Sequence, residues 1–334
     1  MATSGPRNLI TDVTGILVGQ AEDRAALTGT TVILAETPAV AAVDVRGGAP
    51  GSRETELLAA GTLVDRVDAV VLSGGSAFGL DAASGAMDWL AAHGRGFAVG
   101  AARVPIVPAA ILFDLNLPTR QHWSGEPPHR RLGFTAAGAA AKEFMLGNAG
   151  AGLGATAGAV KGGLGSASLL LADGVMVGAI VAVNCCGAVV RPDCGRFWAA
   201  ELALPGEVDP QPALPDTLLD LDDFSACGSL LAGANTTIAL VATDAPLDKN
   251  SCRRLAIMAQ DGLTRAIRPA HTPFDGDTVF ALSTGSGPAI GPEALTRIGS
   301  AAADCLTRAI MRGVLAAEPL GGFPSWRQRW GDGR

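Results

Sequence analysis

Gly233-Ala234-Asn235-Thr236-Thr237-Ile238-Ala239-Leu240 is the stretch on which the reading of this chain turns. Two small residues lead to an Asn-Thr bond. The apolar run that follows, 238–241, reads as a buried strand. A Thr hydroxyl is a weak nucleophile until a base stands beside it. One way to supply the base is to make the Thr chain-terminal, so that its own α-amine serves. Such an amine titrates near ~7.7–8.0, within reach of neutral pH. Exposing it here requires a cut between Asn235 and Thr236, which Thr236 can make by attacking the Asn235 carbonyl and passing through an ester. The alternative reading of the same residues is a turn entering a core strand. Asn235-Thr236-Thr237 also matches a glycosylation acceptor, which is set aside because residues 1–6 lack a charged-then-apolar secretory pattern.

The chain has 334 residues, 48% of them apolar and 17% charged, enough for a sizeable core in one large domain or two. Its 44 glycines and few aromatics favour tight turns and close backbone packing. A net charge of −7 without a basic run argues against nucleic-acid and anionic-membrane partners. The longest uncharged apolar run, 175–190, is short for a spanning helix and suits a buried strand. Six cysteines show neither zinc spacing nor a disulfide framework, and Cys185 and Cys186 read as reduced strand residues. The expectation is a cytoplasmic protein.

Strand-like pieces at 16–18, 31–34 and 40–45 open the chain. A Gly-rich loop carrying Arg46, Arg53 and Glu54 follows, then a short helix at 57–63 and a buried strand at 69–72. The turn Ser73-Gly74-Gly75-Ser76 either cradles an anion at a helix N-terminus or lets the helix 79–93 pack closely. Residues 118–131 read as a polar loop with His122 and His129 solvated and too loosely spaced for a metal pair. A helix is expected over 133–146. Residues 147–158 fit neither nucleotide-loop pattern. From 204 to 235 prolines accumulate beside acidic residues, which reads as a mobile linker ending at the Asn-Thr bond. Beyond it the order is strand, helix, strand, helix, with Leu255, Ala259, Leu263 and Ala266 on one helical face and Ile298, Ala302, Cys305 and Leu306 on the other. Trp326 and Trp330 in the tail suggest an oligomer contact or disorder.

Several polar residues stand out against this apolar background. Lys161 lies between glycines with almost no other charge nearby, so it is either a snorkelling surface residue or a buried functional amine with a depressed pKa. Asn184 ends a core strand and either donates to a developing oxyanion or caps a turn. Asp275 and Asp277, two residues apart, could share a proton, anchor a charged amine, or simply form a turn. The Asp-x-Asp spacing lacks the other ligands of a calcium loop.

Six further motifs run in fixed order through the chain. They are Asp44-Val45-Arg46-Gly47-Gly48-Ala49-Pro50-Gly51, Ser73-Gly74-Gly75-Ser76-Ala77-Phe78-Gly79, Val104-Pro105-Ile106-Val107-Pro108-Ala109-Ala110, Gly150-Ala151-Gly152-Leu153-Gly154, Lys161-Gly162-Gly163-Leu164-Gly165-Ser166 and His271-Thr272-Pro273-Phe274-Asp275-Gly276-Asp277-Thr278. With the Asn-Thr-Thr-Ile stretch between the last two, they resemble the P1 family of peptidases: aminopeptidase/D-esterase-amidases, β-aminopeptidases and nylon-oligomer hydrolases. The resemblance spans about residues 10–316. It implies an α/β fold, a four-layer α-β-β-α sandwich like that of N-terminal-nucleophile hydrolases, in a single domain 1–334 self-cleaved into 1–235 and 236–334. It implies Thr236 as nucleophile, assisted by Lys161, Asn184, Asp275 and Asp277, with no metal or organic cofactor. It also gives position 113 to substrate binding. Relatives carry Tyr there, whereas this chain has Phe113 and no Tyr anywhere.

The function expected is hydrolysis of amide, peptide or ester bonds in small amino-terminated substrates, in a homo-oligomer of four or more copies. The rivals are an endo-acting 6-aminohexanoate oligomer hydrolase, an acyltransferase that shares cleavage at a Thr, and an uncleaved binding or scaffold protein on the same fold.

Overall fold

The computed structural model describes residues 2–220, 222–228 and 235–331. Gly233 and Ala234 of the opening stretch, and 229–234 of the proposed linker, lie outside the described residues. The strands are β1 (Ile16–Asp23), β2 (Thr28–Val45), β3 (Ser52–Arg53), β4 (Arg66–Ser73), β5 (Phe97–Val99), β6 (Ala102–Val104), β7 (Ala109–Ile111), β8 (Thr156–Ala157), β9 (Val160–Lys161), β10 (Gly163–Leu170), β11 (Met176–Val183), β12 (Ile238–Thr243) and β13 (Thr278–Ser283). The α-helices are α1 (Asp81–Ala92), α2 (His129–Gly138), α3 (Lys249–Ala266) and α4 (Pro292–Leu315).

Among the described residues nine strands make one mixed sheet in the order β10-β11-β12-β13-β2-β4-β7-β3, with β1 also paired to β2. Strand β2 is its hub. The first half pairs antiparallel with β1 and β4, the second half antiparallel with β13, and the register shifts between Leu34 and Ala39. Side-chain alternation turns this one sheet into two layers. Ile33, Ala35, Ala39, Ala41 and Val43 of β2 meet Leu240 of β12, Phe280 of β13 and Val70 and Leu72 of β4 in a central core. Val32 and Leu34 face the other way, toward Ala83, Ala86 and Leu90 of α1 and Ala136 of α2. Val40 and Ala42 pack with Leu255 and Ala259 of α3 and Leu306 and Ile310 of α4. The result is a helix–sheet–sheet–helix sandwich.

The helices follow from local sequence. The Asp248 carboxylate caps α3 by accepting the Ser251 N–H at 2.7 Å. The helix ends just before Arg268-Pro269, where the residue preceding proline is steered out of the α region. Helix α4 has Pro292 in its first turn. It lies so close to β10 that a Cβ on Gly165 would stand 1.9 Å from the Ala309 carbonyl oxygen.

Three expectations change. The helix foreseen over 133–146 is α2, which starts four residues earlier and stops at Gly138, because Ala141 exchanges backbone hydrogen bonds with Val18 on the β1 edge, at 2.9 and 3.0 Å. His129 is fully buried rather than solvated: its ring meets Trp123 edge-on at 5.6 Å and lies 3.3 Å from the Thr28 hydroxyl. Burial drives its pKa down to about 4. Trp326 is packed, not loose. It stacks on Phe197 with ring centroids 5.2 Å apart and donates to the Gly195 carbonyl at 2.8 Å. Within the Pro-rich acidic stretch, Glu207 is tied down by the buried Arg308, whose Nε donates to it at 2.8 Å. Among the described residues no helix is long and apolar enough to cross a membrane.

Candidate active site

Strands β12 and β13 run parallel, with Ile238 opposite Thr278. The pairing continues upstream of both strands, where Asn235 bridges to Asp275. This register carries the Asn235–Thr236 bond against the Asp275–Gly276–Asp277 turn. The Gly276 N–H donates to the Asn235 carbonyl at 3.1 Å. The Thr236 hydroxyl donates to the same oxygen, and the Thr236 N–H donates to the Asn184 carbonyl at 2.6 Å. Asn235 and Thr236 are both buried. One peptide bond thus has a hydroxyl on its carbonyl oxygen, a backbone donor on that same oxygen and an acceptor fixing its nitrogen.

Gly276 is required by closeness: a Cβ there would sit 2.8 Å from Thr236 Oγ1 and 2.8 Å from the Ala49 carbonyl oxygen. We expect Gly276→Ala to push the hydroxyl off its carbonyl and slow any reaction at this bond by about 10²-fold, the usual penalty for misplacement by about 1 Å. A gel time course of freshly synthesised chain measures this. Processing of the variant at the wild-type rate would show that the contact is irrelevant.

The two aspartates brace this turn. Asp277 accepts the Thr237 N–H through Oδ1 at 2.8 Å, and through Oδ2 the His271 N–H at 3.0 Å and its ring Nδ1 at 2.9 Å. Asp275 accepts the Cys186 N–H at 3.2 Å through Oδ1, and the Thr272 N–H and hydroxyl at 3.0 and 2.6 Å through Oδ2. Both are enclosed. Burial, and then the neighbouring Asp277 charge, raise the Asp275 pKa above the ordinary carboxylate value.

Asn184 follows β11 and meets the site through its carbonyl, whereas Lys161 lies on the β8–β9 hairpin behind the wall. The Asn184 amide donates to the Phe113 carbonyl at 3.1 Å, and its Oδ1 accepts the Thr156 N–H at 2.8 Å. The amide thus points at the wall, and the backbone donor to the Asn235 carbonyl is Gly276. Thr156 pairs with Lys161 across β8 and β9. Lys161 is fully buried, which excludes the snorkelling surface reading, and it donates to the Gly152, Ala155 and Gly162 carbonyls at 2.9, 2.7 and 2.9 Å. Burial lowers its pKa to about 7, and Asp114 pulls it back up.

Beside Asn235 opens a cavity of about 420 Å³ walled by Phe113, Leu117, Thr156 and Phe323 among others. Asp275 and Asp277 do not line it. In the turn read either as an anion cradle or as a close-packing turn, the Gly75 N–H donates to the Asp114 carboxylate at 2.8 Å. Sequence reasoning missed Gly276, His271 and Asp114. The His271 pairing was signalled only by its place six residues before Asp277, and its left-handed φ of 57° had no signal at all. Among the described residues no three His, Cys, Asp or Glu side chains group to hold a metal ion.

The layered fold thus encloses a buried Thr-bearing bond upstream of a parallel strand pair. The profile of peptidase family S58 matches residues 8–326, and the chain belongs to that family. An uncharacterized aminopeptidase of Mycobacterium tuberculosis is 46% identical over 341 residues, 96% of this chain and 97% of that one. A 6-aminohexanoate-oligomer endohydrolase of Paenarthrobacter ureafaciens is 31% identical over 295 residues, 84% of this chain and 76% of that one. The L-aminopeptidase D-Ala-esterase/amidase of Ochrobactrum anthropi, described as a variant of the Ntn hydrolase fold, shares the fold at a TM-score of 0.72 and 22% identity, covering 97% of this chain and 90% of that one. The protein is therefore a peptide-bond hydrolase of the aminopeptidase and amidase type.

Proposed function

We propose that the chain cuts itself between Asn235 and Thr236, and that Thr236, then the first residue of 236–334, is the nucleophile that hydrolyses small amino-terminated amides, peptides and esters. The observation that carries this reading is the convergence of the Thr236 hydroxyl and the Gly276 N–H on the Asn235 carbonyl oxygen. In the cut, a bond forms from Thr236 Oγ1 to the Asn235 carbonyl carbon, and the Gly276 N–H meets the charge that grows on the oxygen. The C–N bond breaks, the hydroxyl proton passes to the nitrogen, and water hydrolyses the ester to an Asn235 carboxylate and a Thr236 hydroxyl. The new α-amine stays beside the Asn184 carbonyl and serves as the base in turnover. An incoming acyl group is transferred to Thr236 Oγ1, the amine product leaves, and water releases the acid. Each step balances with water alone.

In this reading Asp275 and Asp277 hold the turn and the nucleophile strand, while Lys161 and Asn184 hold the wall. The exposed apolar side chains Phe97, Val99 and Val104 on the β5–β6 hairpin support assembly into a homo-oligomer. The test of function is a paired assay on an amino-acid p-nitroanilide and its N-acetylated form. Hydrolysis of the free-amine form in preference is expected, and equal rates would contradict amino-terminal specificity. Activity on the blocked form alone would favour endo-acting hydrolysis, the activity named for the relative at 31% identity.

A further inference from the structure

We propose that Asp114 binds the ammonium group of the substrate, which makes it the specificity-determining residue of the cavity beside Asn235; this rests on the function proposed above. Asn235 lines that cavity, so the carbonyl attacked by Thr236 and the space for an acyl group adjoin. Phe113, Leu117, Ala159 and Phe323 make its wall largely apolar, and among the described residues Asp114 is the only carboxylate on it and no Lys or Arg lines it. At about 420 Å³ it suits a small acyl group.

The Asp114 carboxylate is buried and half satisfied. Its Oδ1 accepts the Gly75 N–H at 2.8 Å, whereas Oδ2 has no hydrogen-bond partner. The Thr28 hydroxyl is near enough to lower the Asp114 pKa, but it does not reach hydrogen-bond geometry to Oδ2 and lies 3.3 Å from His129 Nε2. Lys161 does not close the gap, because its three protons go to three backbone carbonyls. Oδ2 lies between Gly74 and Gly154, where an added Cβ would come within 2.0 and 2.9 Å of it, and Gly154 is another residue of the wall. A buried carboxylate oxygen without a donor is costly unless a cation or donor arrives. Burial accordingly raises the Asp114 pKa to about 6. Asp275 and Asp277, the other acids near Thr236, already accept three hydrogen bonds each and stand off the cavity. The substrate class that fits is a short amino-acyl group with an apolar side chain or spacer and a free ammonium.

The experiment compares wild type with Asp114→Asn, which keeps an acceptor for Gly75, on an amino-acid p-nitroanilide and its N-acetylated form. We expect the variant to lose roughly 10²-fold in kcat/KM on the free amine, mainly through KM, and at least tenfold less than that on the blocked form. Equal loss on both forms, or a retained preference for the free amine, overturns the assignment of Asp114 alone. A wild type indifferent to the blocking group removes the functional reading and this inference with it. A second measurement needs no variant. An n-alkylammonium ion should inhibit the wild type competitively at least tenfold more strongly than the alcohol of equal length, and equal inhibition overturns the proposal.

Discussion

Thr236→Ala is expected to yield a single uncut chain without amidase activity. The substitution removes the only hydroxyl that donates to the Asn235 carbonyl among the described residues, and leaves the Gly276 N–H and the Asn184 carbonyl in place. The methyl-sized replacement fits the same buried space, so the fold should survive. Without the hydroxyl no ester can form, no α-amine is released, and both the nucleophile and the base of turnover are lost together. The loss should therefore be complete rather than partial. Thr236→Ser keeps a hydroxyl and should still be processed. A gel and an amidase assay on the two variants check this; cleavage of Thr236→Ala at the same bond would mean that another group does the cutting.

Lys161→Met carries the second large effect. Removing the ammonium leaves the Gly162 carbonyl without its buried donor and takes one of two donors from the Gly152 and Ala155 carbonyls, which keep the Ala155 and Gly162 N–H groups. At roughly 1–3 kcal/mol for the unsatisfied carbonyl and about 1 kcal/mol for each of the two other bonds lost, the stability loss should be about 3–5 kcal/mol. Those carbonyls also fix the segment that bears Gly154, Thr156 and Ala159 of the cavity wall, so turnover should fall on the order of 10²-fold. The pH dependence has a definite sign. The folded pKa of Lys161 is about 7 and the ordinary value is 10.5. Between the two the unfolded chain holds more protons, so the contribution of Lys161 to stability rises with pH through this window and is lost as pH falls toward 7. Thermal melts at several pH values should show the gap between wild type and Lys161→Met widening from pH 7 to pH 10. A constant gap, or turnover untouched by the substitution, would return Lys161 to an inert core position.

Much of the fold was legible where one physical signal dominates. The run 238–241 became β12 because uninterrupted β-branched and small apolar residues fit a strand buried on both faces. Helices α3 and α4 announced themselves by the 3.6-residue period of Leu255, Ala259, Leu263, Ile298, Ala302 and Leu306. The hub strand was harder. Glu36-Thr37-Pro38 reads as a break between two strands, yet these exposed residues sit at the register shift of a single strand that serves both layers. Likewise, the Ala-rich residues after Gly138 favour helix by propensity, and the β1 edge overrode it.

The site divides in the same way. Asn235, Thr236, Asp275 and Asp277 were visible as side chains in a distinctive order, and the parallel register brings them together. The Gly276 donor was invisible, because a backbone N–H leaves no compositional mark. Asp114 read as the end of an apolar run and His129 as part of a polar loop; the contacts with Gly75, Thr28 and Trp123 come only with folding. Phe113 lies in the cavity wall as a side chain without a phenol, and it contributes to the site through the carbonyl that holds Asn184.

Intact mass and N-terminal sequencing of the purified wild-type protein decide whether the chain cuts itself. Two chains are expected, 1–235 and 236–334, the smaller beginning Thr236-Thr237-Ile238. A single mass for the whole chain, or a new terminus at any other residue, would contradict this expectation.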